Sequence, residues 1–346
     1  MEIINNYFKN GQYNTSYLLS KALEDDDNYT NLVKTDEYIK LVSEITNKID
    51  TSILEKKIYI RVFLMGNWIE PKKLCDLWNH MSKGDYTWNN IKIVWEEPCD
   101  YYCIINKPPN DNIYYDPKRT IIFRMEPLMD ENIHLWGEKW SKPNKNEFKF
   151  VGYHEDHYNN NEWHLSKKYN ELLSEEIIKD DNLTKTLTTT LSDKYSDKGH
   201  IKRIDFVKFL EEKNVDVHVY GGNRFLWKDY KGSLPVNCKD NSLFPYKYSF
   251  NVENNYVRNY YTEKLIDGIL SETLVFYSGC PNIKELIDER AYVYLELSNF
   301  ENDYEIVKKA LEEDWWSQRI EYIRKEKKRI LNELQFFPRL EKIINE

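Results

Sequence analysis

Nowhere in this chain do 18 apolar residues run together, so no membrane-spanning helix is expected. Its first residues, Met1-Glu2-Ile3-Ile4-Asn5-Asn6, are polar and acidic and show no apolar leader stretch, which argues against a signal peptide. The five cysteines, Cys75, Cys99, Cys103, Cys238 and Cys280, are odd in number and show no metal-ligand spacing. A disulfide framework is therefore not expected, and a reduced, cytoplasmic chain is the simplest reading. Basic residues are outnumbered: 49 Lys and Arg against 58 Asp and Glu give a net charge of −9. That balance disfavours a general nucleic-acid binder but permits a local basic pocket for a small anion. No Gly-x-Gly-x-x-Gly follows any expected strand, so the dinucleotide fingerprint is missing. What is abundant is aromatic: the 27 Tyr and 10 Trp supply mostly packing surface.

The length, 346 residues, fits two domains of ordinary size. Residues 1–55 are polar, with Leu18, Leu19, Leu23, Tyr38, Leu41 and Ile45 suggesting helices of unknown role. The run Asp25-Asp26-Asp27 reads as a solvated loop rather than a metal cluster, since no other ligand types flank it. From Ile58 the pattern becomes α/β. Strands are expected at Ile58–Met65, Ile91–Trp95, Tyr101–Ile105 and Thr120–Phe123, with a helix through Leu74, Leu77, Trp78 and Met81. The Asn-rich stretch at Asn159-Asn160-Asn161 marks a domain boundary, giving a first Rossmann-like half over 56–165 and a second over 166–346. His154-Glu155-Asp156-His157 lacks the His-Glu-x-x-His spacing and is not expected to bind zinc. In the second half, strands are expected at 186–191, 215–220 and 291–295, with helices at 200–213, 304–311, 315–334 and 338–344. The charges along 315–334 read as a solvated helix face.

The centre of the chain is Lys247 to Gly279. Tyr248, Phe250 and Val252 alternate with Ser249 and Asn251 as a strand. A polar loop then leads to Thr262, a good N-cap, before the helical face Leu265, Ile266, Ile269 and Leu270 and a second strand, Thr273–Tyr277. Such a βαβ unit binds ligands beyond the carboxyl ends of its strands, and a helix N-terminus with Lys264 in its first turn suits a phosphate.

The order Glu253-Asn254, five residues, then Tyr260-Tyr261-Thr262-Glu263-Lys264 resembles the donor-binding signature of the α-1,3-fucosyltransferases, glycosyltransferase family ten. Val252 and Asn255 stand where that family often has Phe and Ser. The resemblance implies a GT-B fold, two Rossmann-like domains facing across a cleft, with an acceptor-binding first half and a donor-binding second half. It implies an inverting transfer of fucose from GDP-fucose to a hydroxyl of a glycan or glycoprotein acceptor, with no metal required. By the same resemblance Arg203 and Lys264 hold the donor phosphates, Glu263 the ribose hydroxyls, and Glu253, Asn254 and Tyr260 make further donor contacts. Arg203 is expected in the first turn of its helix. Glu126, in Arg124-Met125-Glu126-Pro127 at the end of a strand, is the expected catalytic base, with Glu155 and Glu131 as weaker candidates. A related transferase using another nucleotide-sugar, or a non-catalytic binding protein on the same fold, are the alternatives.

Overall fold

The computed structural model describes residues 1–11, 13–24, 29–48, 59–110, 112–127, 136–158, 162–236 and 238–346. The Asp25–Asp27 run, Ile58, Glu131 and the Asn159–Asn161 cluster lie outside the described residues. The chain divides into two compact units, 1–59 and 60–346. The first is helical: α1 (Glu2–Lys9), α2 (Tyr13–Glu24) and α3 (Asp36–Thr46) gather Ile4, Tyr38, Leu41 and Ile45 into a small core of their own. Thr35 caps α3 by accepting from the Tyr38 N–H.

The second unit holds two six-stranded sheets. The first sheet is built from β1 (Ile60–Gly66), β2 (Thr87–Trp88), β3 (Ile91–Val94), β4 (Tyr101–Ile105), β5 (Thr120–Phe123) and β6 (Phe150–Gly152). Its order is β2-β3-β1-β4-β5-β6, parallel except for β2. The helix α4 (Pro71–Trp78) follows β1 and buries Leu74, Cys75 and Trp78. After a short helix, α5 (Tyr169–Ser174), the second sheet takes β7 (Leu187–Leu191), β8 (Val217–Gly221), β9 (Tyr230–Gly232), β10 (Tyr248–Val252), β11 (Leu274–Ser278) and β12 (Tyr292–Tyr294). All pair in parallel in the order β12-β11-β10-β7-β8-β9. Counted from β7, this is the 3-2-1-4-5-6 order of a doubly wound nucleotide-binding sheet, with its switch point between β7 and β10. The strands are buried on both faces, so they read as apolar runs such as Leu274-Val275-Phe276-Tyr277, all fully enclosed. The two sheets make the GT-B architecture.

The helices of this sheet are α6 (Lys198–Glu212), α7 (Glu263–Leu270), α8 (Phe300–Glu312) and α9 (Trp315–Arg329). The long helix expected over 315–334 ends at Arg329 and continues as a wide π-helical turn, Ile330–Leu334. Nor is it a mainly solvated helix on every side. Glu326 and Lys327 are buried, and Lys327 and Arg324 close on Glu272 at 2.8 and 2.9 Å. The final helix, α10 (Phe336–Asn345), was expected to belong to the second half, yet it packs on the first sheet. Phe336 meets Trp78 at 4.6 Å between ring centroids, and Phe337 stacks on Trp88. The reason lies in the sequence of the helix, whose apolar face (Phe336, Phe337, Leu340, Ile343, Ile344) needs a surface to cover.

Candidate active site

A cavity of about 290 Å³ opens at the carboxyl ends of β7 and β10, where the strand order reverses. Four of the expected donor residues line it: Arg203, Asn254, Glu263 and Lys264. Arg203 reaches it from the second turn of α6, not the first. Asp197 starts that helix, its N–H bonded to His200 Nδ1 at 3.3 Å, so the helix begins before the expected His200. The Arg203 guanidinium is buried and fixed by neutral oxygens, Ser192 Oγ at 3.1 Å, Asn254 Oδ1 at 3.2 Å and the Val252 carbonyl at 3.4 Å. Its Nε has no partner, and among the described residues no carboxylate lies within ion-pair distance of it. Burial therefore lowers its pKa, with Glu253 and Glu263 opposing from farther off. This is a buried cation that lacks its anion.

The N-terminus of α7 forms the opposite wall. Thr262 caps it, as expected, by accepting from the Lys264 N–H. Around it runs a ladder of alternating charge. Lys264 lies 3.6 Å from Glu253 and 3.2 Å from Glu263, and Lys239 lies 3.5 Å from Glu263 and 2.8 Å from Asp267. Burial alone raises the pKa of Glu263, but Lys264, Lys239 and His164 outweigh it and hold the carboxyl well below its ordinary value. Burial likewise opposes the charge on Lys264, and Glu263 and Glu253 overcome it, so its pKa rises. Lys264 is thus a cation held in place by carboxylates, where Arg203 is not. Lys239 and Asp267 had not been singled out in the sequence. Neither lies in the motif, and a lone Lys before a short helical turn carries no signal.

Glu253 and Tyr260 do not line the cavity. Glu253 is wholly enclosed and accepts from the Thr262 N–H at 2.7 Å and the Thr262 hydroxyl at 2.8 Å, so it positions the helix start rather than touching a ligand. The Tyr260 ring is buried against His154, 5.5 Å between centroids, and so meets the first-sheet half. Asn259, in the left-handed region at φ +58°, donates from Nδ2 to the His154 carbonyl at 2.6 Å and ties the same two segments. Gly199 lets α6 approach this loop: a Cβ there would lie 1.7 Å from the Glu253 carbonyl oxygen.

Glu126 follows β5 in the other half. Asn106, itself at φ +62°, accepts through Oδ1 from the N–H groups of Met125 (2.9 Å) and Glu126 (3.1 Å) and pins that turn. The Glu126 side chain is open to solvent within a crowded cleft. That crowding raises its pKa, Lys264 opposes, and Glu263 adds to the rise. Lys264 and Glu263 of the larger cavity thus act on Glu126. It lines a second, smaller cavity of about 230 Å³ with Arg124, Tyr153, His154, Glu155 and Val257.

The two histidines of the 154–157 stretch diverge. His154 faces Tyr260, whereas His157 lies on Phe150 at 4.9 Å. Among the described residues, the carboxylate and imidazole group close enough to hold a cation is elsewhere: Asp216, His218 and Asp229, at the amino ends of the strands. There His218 Nε2 already meets Asp229 at 3.0 Å, and Lys231 neutralises Asp229 at 2.8 Å.

Residues 181–323 match the family model of the glycosyltransferase family 10 (fucosyltransferase) C-terminal domain. The matched span includes both walls of the larger cavity. No curated protein matches the chain. Among solved structures, an α1,3-fucosyltransferase is 15% identical, with 84% of this chain and 92% of that chain covered and a TM-score of 0.48. An α1,3-fucosyltransferase with GDP is 16% identical over the same shares, at 0.47. A glycosyltransferase from Rickettsia africae is 12% identical, covering 90% of this chain and 81% of its own, at 0.44. The strand order, not these likenesses, establishes the fold. No helix among the described residues is long and apolar enough to cross a membrane.

Proposed function

We propose that this chain is an inverting, fucosyltransferase-like glycosyltransferase that moves fucose from GDP-fucose to a hydroxyl of a glycan acceptor. The observation that carries the reading is Arg203. A buried guanidinium without a carboxylate partner, at a nucleotide-binding switch point and beside Lys264, is a ready site for a diphosphate. The match to the family 10 (fucosyltransferase) C-terminal domain supports fucose as the sugar. In the proposed step Glu126 takes the proton of the acceptor hydroxyl. The hydroxyl oxygen forms a bond to the anomeric carbon as the bond from that carbon to the diphosphate oxygen breaks. The electron pair leaves with the nucleoside diphosphate, whose growing charge Arg203, Lys264 and the α7 N-terminus stabilise. Glu263 and Asn254 are positioned for the nucleotide, and Glu253 and Tyr260 hold the loop that shapes the site. The first half takes the acceptor and the second the donor.

The test is thermal melting of the full chain against GDP, GDP-fucose, UDP and UDP-sugars, with EDTA present. Ligand at a hundredfold excess over its Kd stabilises by about 2.7 kcal/mol. GDP and GDP-fucose alone raising Tm, with no loss in EDTA, supports the donor and a metal-free site. A UDP-selective rise discards fucose and keeps the transferase. No rise with any nucleotide overturns the reading in favour of a non-catalytic protein.

A further inference from the structure

The smaller cavity beside Glu126 contains a second buried cation, Arg124, whose charge burial opposes and Tyr153, Glu126 and Glu155 favour only from beyond ion-pair distance. Arg124 is 2% exposed, and among the described residues its guanidinium donates one hydrogen bond, from Nη1 to the Trp140 carbonyl. Its Nη2 has no partner, and among the described residues no carboxylate comes within ion-pair distance. The Trp136 ring centroid lies 4.9 Å from the guanidinium carbon, a cation–π contact that does not neutralise it. His154, 5% exposed, brings an unpartnered Nε2 to the same cavity. Burial, with Arg124 and Arg339 nearby, lowers its pKa to about 4, so it stays neutral and contributes a hydrogen bond but no charge.

Keeping a charge buried without a counter-ion costs several kcal/mol, and a neutral hydroxyl satisfies its hydrogen bond without removing that cost. An anion removes both. The cavity, about 230 Å³, has the volume of roughly seven or eight waters, room enough for one sugar ring. Arg124 and Glu126 are two residues apart, at most about 7 Å of extended chain, so both reach one ring. Glu126 and Glu155 repel an anion, and Arg258, also in the cavity wall, is already paired with Glu285 at 2.7 Å, so Arg124 and His154 are left to hold it.

The geometry points to an acidic acceptor: the sugar ring whose hydroxyl faces Glu126 itself carries an anionic group, a carboxylate or a sulfate ester, held by Arg124 Nη2 and His154 Nε2. This rests on the transferase reading above. The experiment compares transfer to a glucuronic acid acceptor, its methyl ester, a ring-sulfated acceptor and the neutral glucose counterpart, using whichever nucleotide-sugar raises the Tm. Wild type and Arg124→Met are assayed with each. The expected result is at least a tenfold preference in kcat/KM for one acidic acceptor over its neutral partner, abolished in R124M while the nucleotide-induced Tm shift is unchanged. Preference for the carboxylate or for the sulfate identifies which group is read. Equal use of neutral and acidic acceptors overturns the inference. So does an equal loss on all acceptors in R124M accompanied by a displaced pH profile, which assigns Arg124 to tuning Glu126. Binding of glucuronate and of glucose sulfate, with glucose as the neutral control, is measured in parallel by saturation-transfer NMR. If no nucleotide binds, the transferase reading fails separately, and that binding measurement decides the cavity.

Discussion

At the scale of single residues, the charge state of two side chains sets the behaviour of the donor site and the base. Arg203 keeps a buried charge that, among the described residues, no carboxylate meets at ion-pair distance, and burial lowers its pKa. Arg203→Met should therefore leave Tm unchanged or raise it, while removing most of the nucleotide-induced shift and lowering kcat by about 10²–10³. A fall in Tm of the empty protein would show the guanidinium to be a structural strut. Glu126→Gln should reduce kcat by about 10²–10⁴ and leave nucleotide binding intact. As a base Glu126 works ionised, so kcat should rise with pH, along a limb lying above the ordinary Glu value of about 4.3. The same raised pKa means that the folded chain holds this proton more tightly than the unfolded one. The stabilisation from it is present below the ordinary value and is lost as pH rises through the raised one, and E126Q should remove that slope from a Tm-against-pH series.

Elements meet most closely where α6 begins and the loop after β10 passes over it. Gly199→Ala puts a methyl group on the Glu253 carbonyl, backbone against backbone, so the loop must move. A loss of about 1–3 kcal/mol is expected by chemical denaturation, together with a weakened nucleotide shift. The α7 cap is a separate device. Thr262→Val removes the hydroxyl that accepts from Lys264 and donates to Glu253, and should cost about 0.5–2 kcal/mol. Because the lost bond runs to a carboxylate, Thr262→Val should cost less in a Glu253→Gln background, and a double-mutant cycle measures the coupling.

Over the whole molecule, the last helix joins the two sheets into one unit. Phe337 is fully enclosed among first-sheet residues, although α10 follows the second sheet in sequence. Phe337→Ala should cost about 3–5 kcal/mol, with the fastest gain in amide exchange on the first sheet rather than the second. Gain confined to the second sheet would contradict the packing described.

Local pattern was enough for much of this protein. The period-two run Tyr248–Val252, the Thr262 cap and the ordered signature from Glu253 to Lys264 are short-range features, and the structure places the strand and the cap where the pattern put them. The burial of Arg203 and the enclosure of Glu253 were not legible, because both depend on what packs across from another element. Lys239 and Asp267, Asn106 under the Glu126 turn, and Arg124 beside His154 are juxtapositions across many residues of chain, invisible to periodicity. Residue type and spacing decided which strands and helices form and which motif they carry. Only the folded sheets decided which charges find a partner and which are left unpaired, because the electrostatic cost of burial is set by neighbours in space.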